Sequence, residues 1–135
     1  MRTTTTLAAA ATLLLLLAAG AQSQTGAFKV DSLSVNANPF VVTRGQTTQP
    51  FKVRSEDPTT TTCHLTVQYG PTGGVSVSLD STTKDGDGNF VFTWPVNDKA
   101  TAGDGKGMGG YCTRRGGAKA PMNGTSQASH PIKVL

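Results

Sequence analysis

Apolar and polar residues alternate with a period of two along much of this chain after residue 28, a pattern typical of β-strands that bury one face. The alternation is clearest over residues 62–69, where Cys63, Leu65 and Val67 alternate with polar residues. Two further stretches follow the same rule: Val75, Val77, Leu79 and Phe90, Phe92, Trp94. Turn residues separate the stretches at intervals of about 8–12 residues. We therefore predict an all-β domain, an antiparallel β-sandwich of about seven strands.

The remaining predicted strands are shorter, and the segments between them are rich in glycine. The strands are expected at residues 28–35 (with a bulge near Asp31), 40–43, 49–54, 111–113 and 129–134. Two glycine-containing segments, residues 99–110 and 114–124, are predicted to be flexible loops.

The N-terminus has the pattern of a secretory signal peptide. Arg2 precedes an apolar run over residues 7–19, and Ala19-Gly20-Ala21 has the small residues that signal peptidase requires. The run is shorter than the roughly 20 apolar residues that span a bilayer. We predict cleavage after Ala21, a single domain over residues 22–135, and a secreted protein without a membrane span.

The chain has two cysteines, Cys63 and Cys112. Because exported proteins meet an oxidising compartment, we expect the two to form a disulfide across the core of the sandwich. Such a bridge restricts the unfolded chain by about 4 kcal/mol in the loop-entropy model. Removing Arg2 lowers the formal net charge from +4 to +3, a surplus too small to indicate nucleic acid as a partner.

One sequence pattern resembles a known family. The hairpin Asp85-Gly86-Asp87-Gly88-Asn89-Phe90, the strand that ends at Pro95, and Tyr111-Cys112 before a last strand are similar to the second half of bacterial immunoglobulin-like modules. The resemblance implies an immunoglobulin-like β-sandwich on the cell surface or outside the cell. It implies little about function, because such modules serve as spacers, adhesins and carbohydrate-binding accessories alike.

Asp85, Asp87 and Asn89 have the spacing of the first half of a calcium loop. The bidentate acid that completes such a loop would stand at position 96, which is Val96. A tight hairpin turn is therefore the preferred interpretation. Weak calcium binding, assisted by Asp80 or Asp98, is the alternative, and no other cofactor is expected.

The chain has two histidines, His64 and His130. Two are too few for a three-histidine metal site, and we expect both to be solvated strand residues. No G-x-S-x-G elbow is present, so we predict a protein that is not an enzyme. Trp94 is expected in the core rather than on a sugar-stacking surface.

The most functional-looking surface is cationic and rich in glycine, with Met108 among its residues. Its candidate ligand-binding residues are Lys99, Lys106, Tyr111, Arg114, Arg115 and Lys119. Mobile cationic loops at one end of a sandwich suit an anionic glycan or an envelope polymer. The alternatives are a solvated loop in a purely structural domain and a protein-docking module of the adhesin-repeat type. Asn123-Gly124-Thr125 also forms an N-glycosylation sequon.

Overall fold

The computed structural model describes residues 28–70, 75–105, 107–125 and 130–135, and the predicted signal peptide lies outside these residues. The described residues contain ten β-strands and no helix. The strands are β1 (Val30–Asp31), β2 (Phe40–Val42), β3 (Phe51–Ser55), β4 (Thr60–Gln68), β5 (Ser76–Ser81), β6 (Phe90–Phe92), β7 (Gly103–Asp104), β8 (Gly107–Arg114), β9 (Lys119–Pro121) and β10 (Ile132–Val134). The all-β prediction is confirmed, but the number of strands is ten rather than about seven, because several are only two or three residues long.

The strands form three sheets around one hydrophobic core. The largest sheet has the order β5-β4-β8-β9, and the two smaller sheets have the orders β1-β3-β6 and β2-β10-β7. Single bridges connect neighbouring sheets, such as Val30 with Met122 and Met108 with His130. The pairing of β2 with β10 is parallel, so the prediction of a purely antiparallel architecture is wrong at this edge.

Strand β4 lies at the centre of the largest sheet, and its side chains confirm the predicted alternation. Cys63, Leu65 and Val67 are at most 1% exposed, and Tyr69, just after the strand, is also buried. The residues between them point away from the core and keep contact with solvent. A period of two therefore places one set of β4 side chains in the core and the other on the outer surface of the sheet.

The two cysteines form the predicted disulfide, but the bridge does not cross the core between two sheets. Cys63 and Cys112 are direct partners on the adjacent strands β4 and β8, with their Cα atoms 4.0 Å apart. This spacing is that of a non-hydrogen-bonded antiparallel pair, in which facing side chains are closest. The bridge therefore connects two strands of one sheet, and the two sulfur atoms lie in the core.

Aromatic rings fill the centre of the core. Phe40, Phe51 and Trp94 have ring centroids 5.0 to 6.5 Å apart, in edge-to-face and stacked arrangements. Trp94 is 2% exposed, as predicted, and its indole Nε1 donates a hydrogen bond of 2.7 Å to the hydroxyl of Tyr69. Burial raises the pKa of that hydroxyl. The two largest buried side chains thus satisfy each other's polar atoms.

The segment over residues 99–110 was predicted to be a flexible loop, but its last four residues, 107–110, belong to a strand. Strand β8 begins at Gly107 and pairs with β4 along its whole length. A side chain at Gly110 would overlap the backbone carbonyl of His64 on β4. Glycine is required here because two backbones approach each other closely, and Met108 beside it is fully buried.

The predicted first strand, residues 28–35, is much shorter than expected. Strand β1 ends at Asp31, whose carboxylate accepts hydrogen bonds from the backbone N–H groups of Leu33 and Ser34. This turn directs Leu33 into solvent, where it is 45% exposed, instead of into the core.

Candidate functional site

The β5-β4-β8-β9 sheet has an apolar inner face and an outer face that carries polar and aromatic side chains. We define the outer face as the side chains of these strands that point away from the core. The register assigns to it Ser76, Ser78, Asp80, Thr62, His64, Thr66, Gln68, Tyr111, Thr113, Lys119 and Pro121, with Gly109 between them. Hydroxyl, amide, imidazole, carboxylate and ammonium groups are thus presented together on one face of the sheet.

Four of these residues form a row that crosses all four strands. Asp80 is the partner of His64, His64 is the partner of Tyr111, and Tyr111 is the partner of Pro121. Neighbouring strands lie about 4.8 Å apart, so the row extends over roughly 14 Å. Its residues are far apart in the sequence, and only the strand register shows that they are neighbours.

The side chains of this row contact one another. The rings of His64 and Tyr111 have centroids 4.5 Å apart, and the Lys119 Nζ lies 4.8 Å from the Tyr111 ring centroid. On the other side, His64 Nδ1 contacts the carboxylate of Asp80. The side chain of Asp80 is 67% exposed and that of His64 is 34% exposed. The row therefore offers carboxylate acceptors at its Asp80 end, and the Lys119 ammonium group lies beside its Tyr111 end.

The structure brings together some of the predicted cationic residues. Tyr111 and Lys119 belong to the outer face, and the exposed Arg115 lies in the turn between β8 and β9. Arg114 has a different role, because its Nη1 is 3.0 Å from Asp57 Oδ2 and its guanidinium lies 5.5 Å from the Phe28 ring centroid.

Asp57 is held in its charged form. Hydrogen bonds from the side chain and backbone of Thr59, and then the one from Arg114, lower the pKa of the Asp57 carboxyl to about 2. The positive charge of Arg114 is consequently balanced by this carboxylate.

The other predicted residues do not belong to this surface. Lys99 lies in the turn after β6, where its backbone N–H donates to the side chain of Asn97. Lys106 lies outside the described residues. Met108, predicted among the surface residues, is fully buried. The cationic surface is thus built on strands β8 and β9 and their turn rather than on two mobile loops.

The Asp85–Asn89 segment is a tight turn whose carboxylate is engaged by the protein. Asp85 Oδ1 accepts hydrogen bonds of 2.9 Å from the backbone N–H groups of Asp87 and Asn89, and Lys52 Nζ lies 3.1 Å from Asp85 Oδ2. These bonds, that from Asn89 most of all, lower the pKa of Asp85 to about 2. A calcium ion would have to displace the Lys52 ammonium group. A tight turn therefore explains the spacing of Asp85, Asp87 and Asn89 better than a calcium loop does. Within the described residues, no group of three or more potential metal-ligating side chains is found.

His130 is fully buried, so the prediction that it is solvated is wrong. Its Nε2 donates to the carbonyl oxygen of Ala37 at 2.8 Å, and its Nδ1 accepts from the Ser32 hydroxyl at 3.0 Å. Asn123 Nδ2 donates in turn to Ser32 Oγ at 2.9 Å. Asn123 Nδ2 is the atom to which a glycan would be attached, so the sequon serves a structural network here.

A groove of about 730 Å³ opens beside the row at its Pro121 end. Its lining combines apolar side chains, among them Phe28 and Leu33, with charged residues such as Arg54 and Glu56. A chain lying along the row could therefore continue past β9 into this groove.

Comparisons with known proteins give no family for the chain. No protein-family model, no curated protein sequence and no solved structure matches it. In the part of the chain that the structure describes, no helix has the length and apolar character needed to cross a membrane. The resemblance to immunoglobulin-like modules therefore stays a prediction, and any function must be argued from the outer face itself.

Sequence reasoning missed three of the four residues of the transverse row, since only Tyr111 was among the predicted ligand-binding residues. Asp80 and Pro121 carry no motif, and His64 was assigned to solvent without a partner. Only the alternation that places Asp80, His64 and Tyr111 on outward positions of their strands could have indicated them, and it does not give the register.

Proposed function

We propose that this chain is a secreted, non-enzymatic binding module of the immunoglobulin-like type, and that its outer face holds an extended anionic glycan or a similar envelope polymer. The observation that carries the proposal is the transverse row of Asp80, His64 and Tyr111 with Lys119 beside it. Its hydroxyl, imidazole, carboxylate and ammonium groups complement the donors and acceptors of a hydroxyl-rich chain. The buried disulfide supports an oxidising compartment.

The shape of the surface favours an extended ligand over a compact one. Small-molecule sites are concave and bury most of their ligand, whereas the outer face is a sheet surface about 14 Å across along the row. A polymer can lie across four strands and reach the groove beside Pro121.

The composition of the outer face also favours a polymer over a protein as its partner. Protein interfaces have an apolar centre that is depleted of charge. On the outer face the centre is the His64–Tyr111 pair, with charged residues on both sides and Ser, Thr and Gln around it. The alternative, a structural or protein-docking domain, is therefore the second choice.

The charge distribution favours an anionic polymer. Lys119 and Arg115 are both exposed at the β8–β9 end of the sheet, and the carboxylate of Asp80 lies at the opposite end in contact with His64. Attraction of exposed cations to a polyanion is long-range and weakens with salt.

Co-sedimentation of the purified protein with insoluble envelope and polysaccharide fractions, at low and high salt, tests this function. We expect binding at low salt that decreases at high salt and is reduced several-fold in Lys119→Gln. Lys99→Gln is the matched control, because it removes the same charge from a turn away from the outer face. Tyr111→Ala should weaken binding at both salt concentrations. Equal losses in Lys119→Gln and Lys99→Gln would mean nonspecific charge attraction, and no sedimentation at either salt would favour the structural or docking alternative.

A further inference from the structure

The two edges of the β5-β4-β8-β9 sheet differ in their protection. At the β9 edge, Met122 forms a bridge with Val30, and the Asn123 N–H donates to the Val30 carbonyl at 2.8 Å. At the β5 edge, the adjacent segment is reached only at the end of the strand, where the Ser81 hydroxyl donates to the Val91 carbonyl at 2.8 Å and the Val91 N–H donates to the Thr83 carbonyl at 3.0 Å. Within the described residues, the backbone of residues 76–80 is hydrogen-bonded to β4 and to no other segment.

The register shows which backbone groups of β5 are open. The Tyr69 N–H donates to the Val75 carbonyl, so the pairs of Val77 with Val67 and of Leu79 with Leu65 are the hydrogen-bonded ones. The N–H and C=O groups of Ser76, Ser78 and Asp80 consequently point away from β4. An open edge of this kind is a template for another strand.

We propose that this edge pairs with β5 of a second copy of the chain, antiparallel, about a two-fold axis through Ser78. In this register Ser78 faces Ser78 of the second copy, and Ser76 faces Asp80 in both directions. The groups that point away from β4 then form about six hydrogen bonds between the copies. A two-fold interface of this type closes after two chains, so the product is a dimer and not a fibre.

The side chains of β5 support this register over a shifted one. With the axis at Ser78, Val77 faces Leu79 of the other copy as a non-hydrogen-bonded pair, where side chains approach most closely. Both are only partly buried in the single chain. A shift by one residue would instead place Val77 opposite Asp80. The strand also has no lysine or proline, the residues with which natural edge strands prevent pairing.

Charge does not oppose the dimer. Asp80 is the single charged residue of β5, and in the proposed register the two Asp80 residues lie at opposite ends of the paired strands. Four residues of strand separate them, a distance of about 14 Å, at which exposed charges are largely screened at physiological salt.

The test is the mass of the purified protein in solution, measured by light scattering and sedimentation equilibrium over a concentration series. We expect a dimer that dissociates on dilution. Ser78→Lys places two ammonium groups opposite each other at the axis and should weaken dimerisation by at least about tenfold. Thr66→Lys is the matched control. Thr66 is the exposed β4 partner of Ser78, so this variant adds the same charge to the same face of the sheet, one strand away from the two-fold axis. This variant should dimerise like the wild type.

Placing opposite charges at position 78 of the two copies tests specifically whether the two Ser78 residues face each other. Ser78→Glu should dimerise poorly alone, and an equal mixture of Ser78→Lys and Ser78→Glu should form a heterodimer. Circular dichroism of each variant establishes that it is folded. A wild-type protein that stays monomeric at the highest concentration, a Ser78→Lys variant that dimerises like Thr66→Lys, or a mixture that does not associate would each overturn the proposal. None of these outcomes depends on polymer binding by the outer face.

Discussion

Strand β4 carries two sets of side chains that alternate along one backbone and have opposite surroundings. On the inner side, Cys63, Leu65 and Val67 are at most 1% exposed and belong to the single hydrophobic core. On the outer side, Thr62, His64 and Thr66 keep contact with solvent, and His64 contacts the outward-facing Asp80 and Tyr111.

This difference separates the residues that determine the fold from those that are free to determine a function. Burying a large apolar side chain contributes roughly 1.5–3 kcal/mol, whereas exposed substitutions usually change stability by at most about 0.5 kcal/mol. Outer positions can therefore change with little effect on stability. The concentration of His64, Tyr111 and Lys119 on that side is not explained by packing.

The largest effect on the inner side should come from the disulfide. Replacing both cysteines, Cys63→Ala with Cys112→Ala, removes a link between residues 49 apart in sequence and should lower the free energy of unfolding by about 4 kcal/mol. Urea unfolding monitored by tryptophan fluorescence measures the loss, with Thr62→Ala as an outward-facing control. A loss below about 1 kcal/mol would mean that the bridge contributes little to the fold.

Two neighbouring residues of β4 give the most direct comparison of its faces. Leu65→Ala removes a side chain that is 1% exposed and should cost about 2–5 kcal/mol of unfolding free energy. Thr66→Ala, one residue later and exposed, should change it by at most about 0.5 kcal/mol. Similar losses for both variants in urea unfolding would show that the outer face also stabilises the sheet.

The two tyrosines extend the comparison to polar atoms. Tyr69→Phe leaves the buried Trp94 Nε1 without its acceptor and should cost about 1–3 kcal/mol. Tyr111→Phe removes a hydroxyl from the outer face and should be nearly neutral for stability. Thermal unfolding of both variants measures the difference, and a neutral Tyr69→Phe would mean that another group accepts the indole hydrogen bond.

The inner side is also the part of the molecule that the sequence predicts well. Alternation identified the buried sets of β4 and β6 and the partly buried Val77 and Leu79 of β5, and two cysteines in a chain with a signal-like N-terminus indicated the bridge. These features depend on local periodicity and on counting, which require no knowledge of which strands are neighbours.

What the sequence did not predict depends on contacts between distant segments. The outer row requires the register of four strands, and the buried position of His130 depends on Ser32, 98 residues away. The glycines of β8 indicated flexibility, although Gly110 serves the close approach of β4. A glycine is typical both of a flexible loop and of two strands that approach closely, and only the position of the neighbouring backbone distinguishes the two.

The smallest expected change in stability comes from Asp85, in the tight turn over residues 85–89. The pKa of Asp85 is lowered to about 2 in the folded state, from an ordinary value of 3.8, so its carboxylate stabilises the fold above pH about 4. That contribution is lost as the pH falls towards 2. Asp85→Asn should therefore be less stable than wild type at neutral pH, and the difference should shrink as the pH falls through this window. Urea midpoints of both proteins across the pH range measure the difference.

Asp87→Asn is the matched control for this variant, because Asp87 is exposed in the same turn. Its urea midpoint should follow that of the wild type at every pH. If Asp85→Asn kept a constant difference from wild type down to pH about 2, the hydrogen bonds to the Asp85 carboxylate would not depend on its charge. The lower stability of Asp85→Asn would then come from its amide NH2 group, which cannot accept a hydrogen bond from Lys52, and not from the loss of the negative charge.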